Sequence, residues 1–259
     1  MKLDIIRATC GYGKKKVAEN ISLSVQSGEV LCLLGPNGVG KTTLFKSILG
    51  FLRLMDGEIV LNGENMIKMS KSKLAKVVGY VPQAHTPPFP YTVLDVVLMG
   101  RTAHLGMFSS PTDNDRRIAE EALDTLGISF LKDKIYTEIS GGERQMTLIA
   151  RALTQEPDIL IMDEPTSNLD FGNQIRVLER INMLSKKGLA VIMTSHFPNH
   201  VFLCSTKVAL MTKNLFKVGS VDEIVTEENL RSAYGINVKI TSTVDESGNI
   251  IKACIPLIN

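Results

Sequence analysis

The chain has no tryptophan, four cysteines in 259 residues, and almost no charge excess: 29 Lys and Arg against 27 Asp and Glu, a formal net charge of +2. Each scarcity excludes something. Cys10, Cys32, Cys204 and Cys254 are scattered, with no CxxC pair, which argues against a zinc site and a disulfide framework. Cys32, inside "VLCLLG", reads as a small buried hydrophobe, and reduced thiols fit a cytosolic compartment. The longest basic run is Lys14-Lys15-Lys16, so the basic stripe of a nucleic-acid binder is missing and no such partner is expected. No stretch approaches the ~18 apolar residues of a membrane span. "MKLDIIRAT" sets an acid inside its one apolar run and does not make a signal peptide. The expectation is a soluble, intracellular chain that is free to dock on a membrane partner.

What is present is a repeating pattern. "EVLCLLG", "DILIMDEP" and "LAVIMTSH" are nearly continuous apolar runs, as expected of strands buried on both faces of a parallel sheet. Between them lie amphipathic stretches with helical spacing: "KTTLFKSILG", "DNDRRIAEEALDTLG", "SGGERQMTLIARALTQEP" and "NQIRVLERINMLSKKG". In the third, Ser140 and Glu143 form a Ser-x-x-Glu capping box. Strands alternating with helices predict an α/β fold with a mostly parallel sheet. "LDIIRATCGYG", "AENISLSVQSGE" and an edge hairpin at "DGEIVLNGE" add shorter strands, and "KVVGYVPQ" is another, ending at Gln83. "AHTPPFPYT" cannot hold regular structure, and a helix is expected from about Thr92. The tail reads as strand pieces around a short helix starting at Thr226. The expected organisation is one domain, 1–259. Residues 1–86 and 155–221 form the α/β core with its β subdomain, 87–154 a helical insert, and 222–259 a C-terminal extension.

Six places carry chemistry. "GPNGVGKT" matches G-x-x-x-x-G-K-[ST] in full, between a buried strand and a helix. Gly35, Gly38 and Gly40, with Pro36, Asn37 and Val39 between them, let backbone N–H groups turn in on phosphate oxygens. Lys41 would reach the β and γ phosphates, and the Thr42 hydroxyl would hold Mg²⁺. "ILIMDEP" places Asp163 and Glu164 at the end of a buried strand, the edge where ligands bind in a parallel sheet. Asp163 would hold Mg²⁺ through water, and Glu164 would polarise the attacking water. Gln83 and His196 end two further strands, Gln83 placed for the metal and water, His196 for a γ-phosphate oxygen. "ISGGERQ" is a second cradle, a helix start with a serine and two glycines, although the chain already has one. Tyr12 could stack on an adenine.

Together these residues resemble the nucleotide-binding subunit of an ATP-binding cassette (ABC) transporter, over nearly the whole chain. Tyr12 matches the adenine-stacking aromatic, Gly35 to Thr43 the Walker A loop, and Gln83 the Q-loop. Ile139 to Glu143 match the family signature, Ile159 to Glu164 Walker B, Ser167 to Asp170 the D-loop, and His196 the switch histidine. The resemblance implies a P-loop NTPase fold with an antiparallel β subdomain and a helical signature subdomain. It also implies an ATPase that uses ATP and Mg²⁺. Two copies would pair head to tail, so that Ser140, Gly141 and Gly142 of each, with Asp170 nearby, serve the ATP held by the other's Walker A loop. Two permease subunits and, indirectly, an extracytoplasmic solute-binding protein complete the expected assembly, with this chain peripheral on the cytoplasmic face of the membrane.

The signature departs from the family pattern at two places: Ile139 stands where leucine is usual, and Glu143 where glutamine is usual. "YTVLDVVLMGRTAHLG", "SHFPNHV" and "VTEENLRSAYGINVKI" resemble the importer branch for iron chelates or haem, cobalamin, and molybdate or tungstate. The Pro-rich loop and the segment to Gly106 would then form the groove that grips a permease helix. The alternative is a soluble ABC ATPase of iron–sulfur cluster assembly. A DNA-repair cassette would carry long coiled coils between the two cradles, a translation-associated protein a second Walker A loop, and a GTPase an acid that "TKNL" lacks.

Overall fold

The computed structural model describes residues 1–83, 90–106 and 109–258. The chain opens with two long antiparallel strands, β1 (Lys2–Tyr12) and β2 (Lys15–Gln26). The register of β1 shifts between Ile5 and Ala8, where Arg7 takes a left-handed φ of 46°. Such a bulge bends and twists the strand over the layer beneath. β3 (Val30–Leu34) is buried at every residue and runs into the glycine-rich loop and α1 (Lys41–Ile48). The hairpin of β4 (Asp56–Leu61) and β5 (Glu64–Asn65) completes a four-stranded antiparallel sheet, ordered β2-β1-β4-β5.

α2 (Lys71–Val77) follows and passes directly into β6 (Val78–Val81). This corrects the expected strand "KVVGYVPQ" at both ends. Lys76 and Val77 close a helix capped by Ser70, and Gln83 lies two residues past the last strand residue. Most of the Pro-rich loop falls in 84–89, outside the described residues.

Three helices come next: α3 (Val93–Leu98), α4 (Asp113–Leu126) and α5 (Gly141–Leu153). Each starts on a hydroxyl N-cap with a reciprocal acid three residues on: Thr92 with Asp95, Thr112 with Asp115, Ser140 with Glu143. Their inner faces meet around Val96, Val97, Leu123 and Ile149, all fully buried.

The sheet then resumes with β7 (Ile159–Met162), α6 (Phe171–Lys186), β8 (Ala190–Ser195), α7 (Pro198–Cys204) and β9 (Lys207–Met211). β10 (Phe216–Gly219), α8 (Val221–Ile224) and α9 (Glu227–Tyr234) lead to a terminal hairpin of β11 (Val238–Val244) and β12 (Ile250–Pro256). α9 begins after an N-cap at Thr226, as the sequence predicts.

The central sheet has six strands in the order β10-β9-β3-β8-β7-β6, parallel except for the β10–β9 pair. Its two faces belong to different cores. Val30, Cys32 and Leu34 point into the cluster built with α3 to α6, and Leu31 and Leu33 into the one built with α1 and the antiparallel sheet. That two-sided burial is why these strands read as unbroken apolar runs. All four cysteines are free and buried, and no disulfide forms.

One charge network ties the ends of α3 and α5 to α4. Arg101 is 5% exposed; its Nε donates to Asp115 at 2.8 Å, and its Nη1 to the Thr154 carbonyl at 2.7 Å and to Glu156 at 2.8 Å. The Asp115 carboxyl is pulled down to about 2, first by its bonds to Thr112 and then by Arg101. Because that value lies below the ordinary carboxylate range, its contribution to stability is complete above that range and is lost as pH falls towards 2. Removing one partner strands the other in the interior. Arg101→Ala is therefore expected to lower the melting temperature by roughly 5–15 °C at neutral pH, read by thermal unfolding; a shift under 2 °C would contradict the network's role.

Candidate functional site

The site grows from the C-terminal ends of four adjacent strands, β3, β8, β7 and β6. After β3 the chain must turn sharply beside β9. A Cβ on Gly35 would lie 2.1 Å from the Met211 carbonyl oxygen, and one on Gly40, at φ 111°, would lie 2.8 Å from Val17 Cγ1. Only glycine fits either position. α1 then starts at Gly40 with no side-chain cap, so its first-turn N–H groups face outward with the positive end of the helix behind them. Lys41 is 5% exposed, and its amine donates to the carbonyls of Gly35 at 2.7 Å and Pro36 at 2.9 Å. Burial pushes its pKa down, and the negative charges of Glu164 and Asp163 oppose that. Thr42 is exposed and Thr43 buried. A cavity of about 180 Å³ opens here, lined by Asn37, Gly38, Gly40, Lys41 and Thr42 with Val17 and Glu164.

β7 delivers the acids. Asp163 is 4% exposed, and its Oδ1 accepts the Thr194 hydroxyl at 2.8 Å; that hydroxyl in turn accepts the Glu164 N–H at 2.7 Å. Thr194 on β8 therefore fixes both acids, a role that sequence reasoning misses. Its one signal is a threonine near the end of an otherwise apolar strand. Glu164 sits at φ 47°, in the left-handed region that non-glycine residues avoid, a strain typical of functional turns. Its Oε2 accepts from Gln83 Nε2 at 3.0 Å, and its Oε1 lies 3.5 Å from His196 Nδ1. The latter is a charge-pair distance, and Nδ1 makes no hydrogen bond among the described residues. Gln83, Glu164 and His196, which lie far apart in sequence, thus converge on one carboxylate.

The second cradle is not there. Ser140, Gly141 and Gly142 are absent from the lining of the Lys41 cavity. The Ser140 hydroxyl accepts from the Glu143 N–H at 3.3 Å, and the Glu143 carboxylate accepts from the Ser140 N–H at 2.8 Å; hydrogen bonding from the Ser140 side chain first, and then from its N–H, holds the Glu143 pKa below the usual range. A Cβ on Gly142 would fall 2.4 Å from Asn173 Cγ. Asn173 in turn donates from its backbone and side-chain nitrogens to Asp170, the N-cap of α6, at 2.9 and 2.6 Å. The close approach of Asn173 was not legible in the sequence. Tyr12, at the end of β1, is half exposed and lines no wall of the cavity.

A strand–loop–helix phosphate cradle faces two acids, an amide and an imidazole across adjacent strand ends. With that geometry in view, comparison with known proteins is decisive. The ABC transporter family model matches residues 18–167. The chain belongs to the ABC transporter family. ABC ATP-binding subunits are ATPases coupled to transport, and this chain is one of them, with ATP as its substrate. It is 37% identical to the molybdate import ATP-binding protein MolC of Haemophilus influenzae, over 83% of this chain and 81% of that one. It is 34% identical to the iron(3+)-hydroxamate import ATP-binding protein FhuC of Bacillus subtilis, over 90% and 87%. Among solved structures, one described as a metal-chelate type ABC transporter in an inward-facing conformation superposes with a TM-score of 0.87. That chain is 33% identical, and the match covers 99% of this chain and 97% of that one. No helix among the described residues of this ABC subunit is long and apolar enough to cross a membrane.

The donor chemistry also suits Mg²⁺. Thr42, Gln83 and Asp163 present hard oxygen ligands, and among the described residues no group of three His, Cys, Asp or Glu side chains could hold a metal ion by itself. An ion here would take its remaining ligands from phosphates and water, as Mg²⁺ does.

Proposed function

We propose that two copies of this chain pair head to tail, close on two ATP molecules, and drive uptake of a metal-containing solute through two permease subunits. The solute class is an iron chelate, haem, cobalamin, or molybdate or tungstate. The observation that carries the pairing is the separation of the two cradles. Among the described residues, the lining of the Lys41 cavity includes none of Ser140, Gly141 and Gly142. A second copy supplies the missing wall, with Asp170 at the seam and Tyr12 against the adenine. Magnitudes favour the exchange. The capping bond of Ser140 is worth about 1 kcal/mol, and a hydrogen bond to a phosphate about 1.5–3 kcal/mol. The hydroxyl therefore leaves Glu143 for the phosphate on closure.

Hydrolysis then uses the residues in place. Gln83 holds Glu164 Oε2, leaving Oε1 to accept a proton from the attacking water. Lys41 and the N–H groups of the loop steady the charge that develops on the phosphates, and His196 donates to a γ-phosphate oxygen. Thr42 and Gln83, with Asp163 through water, would hold Mg²⁺, which would supply neutralisation of phosphate charge.

The permease contact has a candidate place. A groove of about 880 Å³ runs beside α1, α2 and α5, with Phe51, Ile67 and Met99 exposed in its lining. It lies next to β6 and hence to Gln83, so a helix seated there would feel the Gln83 loop move. Its described lining comes from 47–54, 66–80, 99–100 and 151–155, so it reaches the segment expected to form it only at Met99 and Gly100.

In this assembly the chain sits on the inner face of the membrane. The test is to purify the tagged chain from native membranes in mild detergent. A polytopic permease at a one-to-one ratio is expected, and the ligand of its binding protein would name the solute. Soluble partners alone would move the chain to iron–sulfur cluster assembly.

A further inference from the structure

Four residues beyond His196 stands a second histidine that takes no part in the hydrolytic chemistry. His200, on α7, is 6% exposed, and burial, helped by the charge of His196, pushes its pKa down to about 4. At neutral pH the ring therefore carries one proton.

Its neighbours decide where that proton sits. Gln174 on α6 donates from Nε2 to the Leu169 carbonyl at 2.9 Å, and its Oε1 faces His200 Nε2 at 3.3 Å. An amide oxygen only accepts, so Nε2 carries the ring proton. Nδ1 is then the acceptor, 3.2 Å from the Thr166 hydroxyl and 3.4 Å from that of Ser195. Every link points the same way, from the Thr166 hydroxyl through His200 and Gln174 to the Leu169 carbonyl.

The ends of this chain matter. Thr166 is two residues beyond Glu164, and Leu169 immediately precedes Asp170. Ser195 immediately precedes His196, and its hydroxyl also accepts the Phe197 N–H at 3.0 Å. One imidazole thus joins the turn after the Glu164 carboxylate, the strand end that carries His196, and the loop that ends at Asp170.

We propose that His200 is a positioning residue, a relay that fixes the Leu169–Asp170 loop relative to Glu164 and His196 and so sets the rate of hydrolysis without touching ATP. The proposal rests on the assignment of Glu164 and His196 to the hydrolytic site.

The relay needs an acceptor and a donor in a 1,3 relation, which a glutamine amide also offers and a leucine does not. The experiment measures ATP turnover and melting temperature for the full chain and four variants. His200→Leu and Gln174→Glu are each expected to lower kcat about tenfold with KM for ATP within twofold, because small misplacements of a catalytic group are costly. Gln174→Glu still accepts from His200 but cannot donate to Leu169. His200→Gln is expected to stay within about threefold of the parent, and the double variant H200L/Q174E to be no slower than the slower single one. Unchanged kcat in the folded single variants, multiplying effects, or failure of His200→Gln to restore the rate overturns the relay. If His200→Leu does not fold, the same decision rests on Gln174→Glu and His200→Gln. Glu164→Gln, run in parallel, separates the two readings. If it remains active the hydrolytic assignment fails, whereas if it is inactive beside a normal His200→Leu only the relay fails.

Discussion

Glu164→Gln is expected to slow ATP hydrolysis by roughly 10²–10⁴-fold and to leave a stable, ATP-bound pair. Glutamine keeps the volume and can still take the Gln83 bond, but it cannot accept the proton of the attacking water. Nothing about nucleotide binding changes, because the Lys41 loop and the helix start remain. The pair should therefore accumulate in its closed form, a population shift driven by a ligand that binds one state far better than the other. Light scattering after ATP addition, together with phosphate release, checks both halves. A variant that still turns over rapidly would remove Glu164 from its role.

Lys41→Ala is expected to weaken ATP binding by about a hundredfold or more. Two charge-assisted bonds to phosphate, each worth about 1.5–3 kcal/mol, correspond to at least two orders of magnitude in affinity. A second cost lies within the loop. Without nucleotide the Lys41 amine closes the loop on the Gly35 and Pro36 carbonyls; with three N–H donors it gives up one of them to make two phosphate bonds, whereas alanine releases both. Lys41→Arg is not expected to recover the loss, since the longer planar fork cannot reproduce the single ammonium that is closed in between the Gly35 and Pro36 carbonyls. Calorimetric titration with ATP and with a non-hydrolysable analogue measures this, and a loss below tenfold would contradict it.

The sheet was legible in the sequence because β3, β7 and β8 are buried on both faces, and burial on both faces leaves a continuous apolar run with no polar alternation. The helix starts were legible because Ser140, Thr92 and their acids are local chemistry. Three helices were not, the four-residue α8 among them. α2 has no buried residue and so carries no apolar period. α7 is a single short stretch entered through Phe197 and Pro198, without a side-chain cap. In the site, the glycine loop, Asp163 and Glu164 announce themselves by type and spacing. Thr194, Asn173 and His200 do not. Each acts through a contact that folding creates between segments some thirty residues apart in sequence, as between Gly142 and Asn173 or His200 and Thr166, or between neighbouring strands, as with Thr194 and Asp163. Single residues of ordinary type at such places carry no pattern.

The contact between Gly142 and Asn173 reaches further than local packing. It leaves no room for even a methyl group, so the serine-glycine helix start and the Asp170 cap form one wall of the subunit. In a head-to-tail pair, each subunit presents that wall as a unit to the nucleotide of its partner. Filling one site therefore orders the surface that the other site must meet. In such a pair the dependence of turnover on ATP concentration is expected to be sigmoidal, with a Hill coefficient between one and two, because the two sites would then act together.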